Sequence, residues 1–389
     1  MFRVSRFGEL LKHLPRAVFD RAVNAQQADK YRKRLRCWDQ LIGMLYAQFS
    51  GASSLRVLEH GFNAHASHHY HLGCTRVHRS TLAQANERAQ WDVFSQLAQA
   101  LMQQVQGGVR AQAKEFLRLI DSTSITLKGP GFDAWTAHSR TRNTQGIKLH
   151  VLYGVSEQAP VGQLISPANL NDLHYARQLP IEPGMTYVFD KAYCDYGWWW
   201  HLQRSGAKFV TRFKRNARVE VLSERGIPRA ASGMILKDQL VRLCNRHPGG
   251  RRRTPYAAPL RRIEVVGVNQ RTLVLASNDL KSSALRIAEH YRRRWQIELF
   301  FKWIKQHLRI KRFLGRSENA VRIQLLTALI AYLLAAVHAR ANNFSTSLWL
   351  HFSELRATLF QRSQTELYRH RQWREARALF QLRQGSLFA

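Results

Sequence analysis

The sequence predicts an α/β fold in which a mixed sheet is flanked by helices, with a helical region ahead of it and more helices behind. Three observations lead there. Apolar residues recur at helical spacing to about residue 106, short apolar strands then alternate with helical segments, and from Ala284 the spacing is helical again.

In the first region Leu10, Leu11, Leu14, Val18 and Phe19 share one stripe, and Trp38, Leu41, Ile42, Leu45, Tyr46 and Phe49 repeat the pattern. Ser50 and Gly51 break the second helix before another begins at Ser53, an order compatible with a helix-turn-helix. Thr81 and Gln84 have the spacing of a capping box for a long helix toward Gln106, ended by Gly107 and Gly108. Between them His65, His68, His69, His71, Cys74 and His78 lack the repeated spacing of a closed zinc site and read as a solvated or DNA-facing loop.

Past Gly108, residues 116–120 and 122–127 read as strand on either side of a polar break at Asp121. Strands over 146–155 and 161–166, a helix over 172–179, a strand over 185–189, a helix over 198–203 and a strand over 208–213 follow. Short strands at 219–221, 235–236, 240–243, 263–266 and 273–276, separated by Gly, Pro and Arg clusters, form a β-rich insertion whose PGGRRRTP loop is among the most basic stretches. The apolar run 325–337, broken only by Thr327, is too short to span a bilayer and reads as a buried core helix. The expected divisions are a helical domain (1–110), a core in two parts (111–213 and 281–345) around the insertion (214–280), and a basic helical tail (346–389).

With 389 residues, 45% of them hydrophobic, the chain can bury a large core and leans toward two or three domains. Lys and Arg number 60 against 26 Asp and Glu, a net charge of +34 that repels itself in the compact state. A polyanion relieves that repulsion, and nucleic acid fits best because each phosphate neutralised releases counterions. A membrane surface is more often met by one basic amphipathic segment. Cys37, Cys74, Cys194 and Cys244 show no CxxC spacing, so neither a disulfide framework nor a zinc ribbon is indicated, and a reducing cytoplasm fits. The opening MFRVSRFGELLKHLP lacks the apolar stretch of a secretory signal.

Asp121 follows FLRLI and Asp190 follows TYVF, so each carboxylate is expected where an apolar strand ends. Open α/β sheets place ligands at such ends, although an Asp there can equally begin a turn. A third acid lies in HYRRRWQIELFFKWIKQHL. On one continuous helix Tyr291, Arg294, Glu298 and Lys305 fall within about 60° of one another, while Trp295, Ile297, Leu299, Phe300, Phe301, Trp303 and Ile304 crowd the remaining surface. A buried helix with Arg, Glu and Lys on one stripe needs partners for those charges, and metal ions and phosphates supply them. Two ions about 4 Å apart suit phosphodiester chemistry, and carboxylate oxygens match Mg²⁺ or Mn²⁺ rather than zinc.

Asp121 in DSTSITL, Asp190 in FDKAYCDY and the Tyr-x2-Arg-x3-Glu-x6-Lys pattern closely resemble the DDE transposases of insertion sequence family 4, over almost the whole chain. The resemblance implies a ribonuclease H-like catalytic core with a β-rich insertion, preceded by a helical DNA-binding region and followed by a helical C-terminus. It implies that Asp121, Asp190 and Glu298 are catalytic and bind two Mg²⁺ per active site, with Mn²⁺ able to substitute. Tyr291, Arg294 and Lys305 would hold phosphates with Trp295 beside them, and Lys148, His150, Arg212, Lys214 and Arg215 are further candidate DNA contacts.

The implied reaction is metal-dependent cleavage at transposon ends followed by strand transfer. The implied partners are double-stranded DNA, as terminal inverted repeats and target, and a second copy of the chain in a homodimeric synaptic complex; no membrane is implied, and the expected location is the bacterial cytoplasm at the nucleoid. Some members form a hairpin and flip a base against a tryptophan late in the insertion, but no Trp lies between Trp200 and Trp295 here, so another residue serves or the step differs. Two rivals are a metal-dependent nuclease on the same core without strand transfer, and an inactive transposase-derived DNA-binding regulator. The intact acidic triad and phosphate stripe argue against the second.

Overall fold

A computed structural model describes residues 4–110, 116–139, 144–244, 254–267, 270–342 and 347–362. Helices come first: α1 (Arg6–Leu11), α2 (Arg16–Ala25), α3 (Cys37–Ser50), α4 (Leu55–Asn63), α5 (His69–Leu72), α6 (Arg79–Arg88) and α7 (Trp91–Arg110). The strands β1 (Leu117–Thr126), β2 (Ala137–Ser139), β3 (Thr144–Gly154) and β4 (Ala159–Pro167) follow, then α8 (Asp172–Gln178), β5 (Thr186–Phe189), α9 (Tyr196–Arg204) and β6 (Lys208–Arg212). β7 (Val219–Glu224), β8 (Ile235–Leu243), β9 (Leu260–Val266) and β10 (Thr272–Ser277) precede α10 (Ala284–Arg293), α11 (Trp295–His307), α12 (Glu318–Ala341) and α13 (Leu348–Thr358). The chain divides into two compact units, Met1–Leu101 with Ile304–Ala389, and Met102–Trp303. Helices from the two ends of the sequence thus fall into one unit. Most of the PGGRRRTP loop and the tail beyond residue 362 lie outside the described residues.

The helical unit is organised around α12, which packs against α3, α6 and α13. The apolar window of α12 has the length and hydropathy of a membrane span, yet 89% of it is buried inside the fold, as a core helix requires. Phe49 of α3 stacks on Phe352 of α13 at 5.1 Å and meets Phe7 of α1 edge-on at 6.2 Å. Two buried glutamines fix the loop ahead of α12: the Gln48 side-chain carbonyl accepts the Arg309 N–H (2.8 Å), and that of Gln324 accepts the Leu314 N–H (2.8 Å). In the histidine-rich stretch, His69 stacks on Phe62 at 4.2 Å and His65 on Phe360 at 4.0 Å.

One long helix was expected through residue 106, with Thr81 and Gln84 capping it. Instead Ala89, buried and extended (φ −67°, ψ 144°), separates α6 from α7, and the residue ahead of α6 is His78. Thr81 and Gln84 therefore lie inside α6 with exposed side chains. Nor does α7 stop at Gly107 and Gly108; it continues to Arg110. A helical glycine costs only about 1 kcal/mol, which the buried Val93, Leu97, Leu101 and Val105 offset.

The second unit is a mixed α/β layer built on one large sheet of order β2-β3-β1-β5-β6-β10-β9-β8-β7, with β4 also paired to β3. β1, β3 and β4 form an antiparallel meander, and β5 and β6 then join parallel beside β1. The insertion expected over 214–280 is the far side of this same sheet, because β10 pairs antiparallel with β6 (Leu275 opposite Arg212). Ile120, Tyr175, Tyr187, Phe189, Trp198, Trp199 and Phe209 belong to the apolar core that joins β1, β5 and β6 to α8 and α9. The strand continues past the polar Asp121, as its sequence predicts, so of the two acids only Asp190 stands at a strand end. β1 runs to Thr126 because β3 stays paired along it, with Asp121 opposite Val151.

Candidate active site

β5 pairs with β1 only over Leu117–Ile120, ending at Ile120 opposite Phe189. The next residues on the two strands are Asp121 and Asp190. Side chains alternate along extended backbone, so both carboxylates project away from the core that holds Ile120 and Phe189. Asp121 accepts the Ser122 N–H at 2.8 Å. Burial pushes its carboxyl up to about 6; the Ser122 amide and Arg294 oppose the rise, while Glu298 and Asp190 add to it. Asp190 caps a short 3₁₀ turn, accepting the Lys191 N–H at 2.7 Å and an Arg212 N–H at 2.8 Å. Burial pushes the Asp190 carboxyl up too, but Arg212, the Lys191 amide and Arg294 outweigh it and hold the group below its ordinary value.

Glu298 lies close enough to Asp121 to raise its carboxyl and is bound to Arg294 at 2.7 Å. Two guanidiniums approach the buried Tyr291 ring, Arg294 at 5.6 Å and Arg212 at 5.9 Å from its centroid. Three polar atoms here are buried without a hydrogen-bond partner: Nε of Arg212, Nε of Arg294 and the Tyr291 hydroxyl. Unmet buried donors are costly, and guanidinium and hydroxyl donors are of the kind that anionic oxygens satisfy.

Tyr291, Arg294, Glu298 and Lys305 do not share one continuous helix. α10 ends at Arg293 and α11 begins at Trp295. Bonds from the Arg294 N–H to Tyr291 and from the Ile297 N–H to Arg294 (3.1 and 3.2 Å) span three residues, tightening the join. Arg294 nevertheless keeps right-handed helical backbone (φ −52°, ψ −29°) and still meets Glu298 one turn on. From around this junction Arg294 and Glu298 act electrostatically on Asp121, Arg294 acts on Asp190, and Asp190 acts on Tyr291. Lys305 is farther along α11, in the helical unit, where with Arg309, Lys311, Arg312 and Arg356 it lines a basic cavity of about 270 Å³. Burial and the neighbouring Lys311 lower its pKa.

Two expected DNA contacts need correcting. Lys148 and His150 are buried, with the Lys148 ammonium on the Leu170 carbonyl (2.7 Å) and Asp172 (3.1 Å) and the His150 ring on Ser166 Oγ (2.7 Å). Both are on β3 within a polar network that includes the Ser122 hydroxyl, which donates to Asp172 at 2.8 Å. Asp172 had no motif to mark it, and Ser122 stood in DSTSITL without a role. Arg212, expected only as a DNA contact, is the direct partner of Asp190. Lys214 and Arg215 line an open basic cavity of about 290 Å³ with Lys191, Arg212 and Arg262. Trp295 is 58% exposed and edges a larger cavity of about 820 Å³, which has Arg212, Tyr291 and Arg294 on one side and Ile235, Val265 and Leu273 on another.

A family described as "Transposase DDE domain" matches residues 113–334. The chain belongs to the DDE transposase family. A domain of unknown function also matches residues 3–75. The chain is 42% identical over 277 residues to the protein named transposase y4zB of Sinorhizobium fredii, covering 70% of this chain and 75% of that one. It is 27% identical over 307 residues to the transposase assigned to insertion sequence element IS5377 of Geobacillus stearothermophilus (74% and 78% covered). It is 30% identical over 148 residues to that assigned to element IS4SA of Synechocystis (38% and 39% covered). This transposase is thus an enzyme that acts on DNA, of the insertion sequence 4-like kind. Its family generally uses divalent metal ions.

The transposase's acids fit such ions in chemistry: they are hard oxygen donors, and Asp121 makes no ion pair of its own with any described residue. As they stand, no three acidic, His or Cys side chains among the described residues converge to hold a metal. Asp190 and Glu298 are instead drawn to Arg212 and Arg294.

Proposed function

We propose that this transposase cleaves DNA strands at the ends of its own element and joins them to target DNA on a ribonuclease H-like core. The strand order of that core supports the reading, with an antiparallel meander followed by two parallel strands and the acids at the edge where β5 stops. The observation that carries the reading is the pairing of Asp121 and Asp190 side by side, with Glu298 close to Asp121 and bound to Arg294.

Asp121, Asp190 and Glu298 would hold two Mg²⁺ ions, which when bound activate the attacking oxygen and stabilise the leaving one. The chain's own groups do the rest. Arg212, Arg294 and Tyr291 offer their unmet donors to the scissile phosphate and fix it in line. Lys191, Lys214 and Arg215 track the backbone beside it. Trp295, exposed next to Arg294, covers one edge of the bound strand. The helical N-terminal region binds end DNA, the enzyme works as a homodimer in its synaptic complex, and it acts in the bacterial cytoplasm.

The test is incubation of the full chain with duplexes carrying the element's terminal repeats, a target plasmid and Mg²⁺. Joined products are expected. Cut products alone would make the enzyme a nuclease, and a bound but uncut duplex would make it a DNA-binding regulator.

A further inference from the structure

α3, α4 and α6 pack on one another as a small three-helix cluster. The inner face of α6 is fixed tightly. Leu82 and Asn86 are buried, and the Gln40 side chain of α3 donates to Asn86 at 2.8 Å. The approach to α6 is fixed as well, since the Asn63 side chain at the end of α4 both donates to the Val77 carbonyl (2.8 Å) and accepts the Val77 N–H (3.0 Å).

The outward face is unlike this. Ser80, Thr81, Gln84, Glu87 and Arg88 fall within an arc of about 120° on α6, and all five are exposed, as is Arg79 at the first position. The side chains of Arg79, Ser80, Thr81 and Gln84 have no hydrogen bond or ion pair within the described structure, and the capping box that would have used Thr81 and Gln84 is not formed. The first turn of α6 carries a cation and no acid, the reverse of what the helix dipole favours. The surroundings are basic, with exposed Arg56 on α4, Arg76 ahead of α6 and Arg88 at its far end; Glu59 is spent on His78 at 3.2 Å, which leaves Glu87 as the exposed acid of α6.

We infer that the outward face of α6 enters the major groove of a DNA duplex and reads base edges. An α-helix fits that groove, and a reading helix presents the residues of its N-terminal half while its other face is held by supporting helices. Gln84 is the side chain suited to bidentate contact with adenine, and Ser80 and Thr81 suit either base edge; Arg79 lies about 140° round the helix from the centre of this arc and is placed for phosphate. The rigid inner face matters because a base-reading helix must keep its register while the flanking arginines hold phosphates. This assignment rests on the reading that the chain recognises the ends of its element.

The experiment is selection from a library of randomised DNA duplexes by the full-length protein and by its Thr81→Ala/Gln84→Ala variant, with circular dichroism and thermal melting to show that both fold alike. Both substitutions are neutral in charge, so the salt dependence of binding should not move. Wild type should enrich a short consensus, and the variant should lose discrimination by roughly tenfold or more at one or two adjacent positions within it. An unchanged consensus in the variant overturns the assignment of α6 while leaving end recognition standing. If wild type enriches no consensus, end recognition itself falls, and α6 with it.

Discussion

Asp121 and Asp190 stand side by side because Ile120 pairs with Phe189 in parallel register and β5 stops there. One strand continues past the carboxylate and the other turns away into a 3₁₀ turn capped by its own Asp. Both acids are half-buried; burial first, and then repulsion from Glu298 and Asp190, raise the Asp121 carboxyl.

Replacing Asp121 by Asn removes that repulsion together with an oxygen donor. Strand nicking in Mg²⁺ should fall by roughly a thousandfold or more, while end binding stays within about threefold because phosphate contacts elsewhere supply it. In metal-free buffer at neutral pH the variant should melt no lower than wild type. Nicking assays, binding isotherms and melting curves check the three parts, and wild-type nicking by the variant would rule out Asp121 as a ligand.

Glu298 and Glu289 make a controlled pair, since Glu→Gln changes the same charge at each. Glu289 is engaged with Arg292 (2.7 Å) and Arg293 (3.4 Å) on α10, whereas Glu298 meets Arg294 beside the aspartates. Glu298→Gln should abolish metal-dependent cleavage with the fold intact, and Glu289→Gln should change it by no more than about threefold, as expected for a surface ion pair. Equal losses in a cleavage assay would show that the third ligand is misassigned.

Asp172 holds the buried Lys148 ammonium and the Ser122 hydroxyl. Asp172→Ala leaves that ammonium uncompensated and should cost about 3–5 kcal/mol of stability. Chemical denaturation of the full chain measures it. A loss below about 1 kcal/mol would mean that the network is more open to water than its burial indicates.

His338 is buried and stacked on His351 at 5.2 Å. Burial, followed by His351, His13 and Arg6, lowers its pKa from the ordinary 6.5 to about 4, with Glu354 opposing. The unfolded chain takes up this proton near 6.5 and the folded chain only near 4, so stability is full above 6.5 and declines as pH falls to about 4. The decline is at most about 1.4 kcal/mol per pH unit for this group. His150 is displaced in the same direction, first by burial. Urea titrations across this range should show the loss, and His338→Phe should flatten it; an unchanged slope in that variant would remove His338 as a cause.

DNA affinity should fall steeply with salt, since the slope of log affinity against log salt scales with the phosphates contacted. Titrating a labelled duplex at several salt concentrations measures it. A flat response would count against the polyanion reading of the +34 charge.

The sequence by itself determined what is local. The stripes of α3 and α12, the short strands around each Asp, and the acid types with their Tyr-Arg-Glu-Lys spacing all follow from periodicities of a few residues. Only the tertiary structure decided what depends on partners distant in the chain. Whether β1 stops at Asp121 depends on β3, about thirty residues away, staying paired with it. Whether the insertion stands apart depends on β10 finding β6. Lys148 and His150 have the residue types of DNA contacts, but burial against Asp172 and Ser166 is a property of the packed sheet. The i,i+4 ion pair of Arg294 with Glu298 follows from the helical period, whereas the bond from Arg212 to Asp190 arises from packing that no local period encodes, because a short helix pattern fixes which residues share a face and not what that face meets.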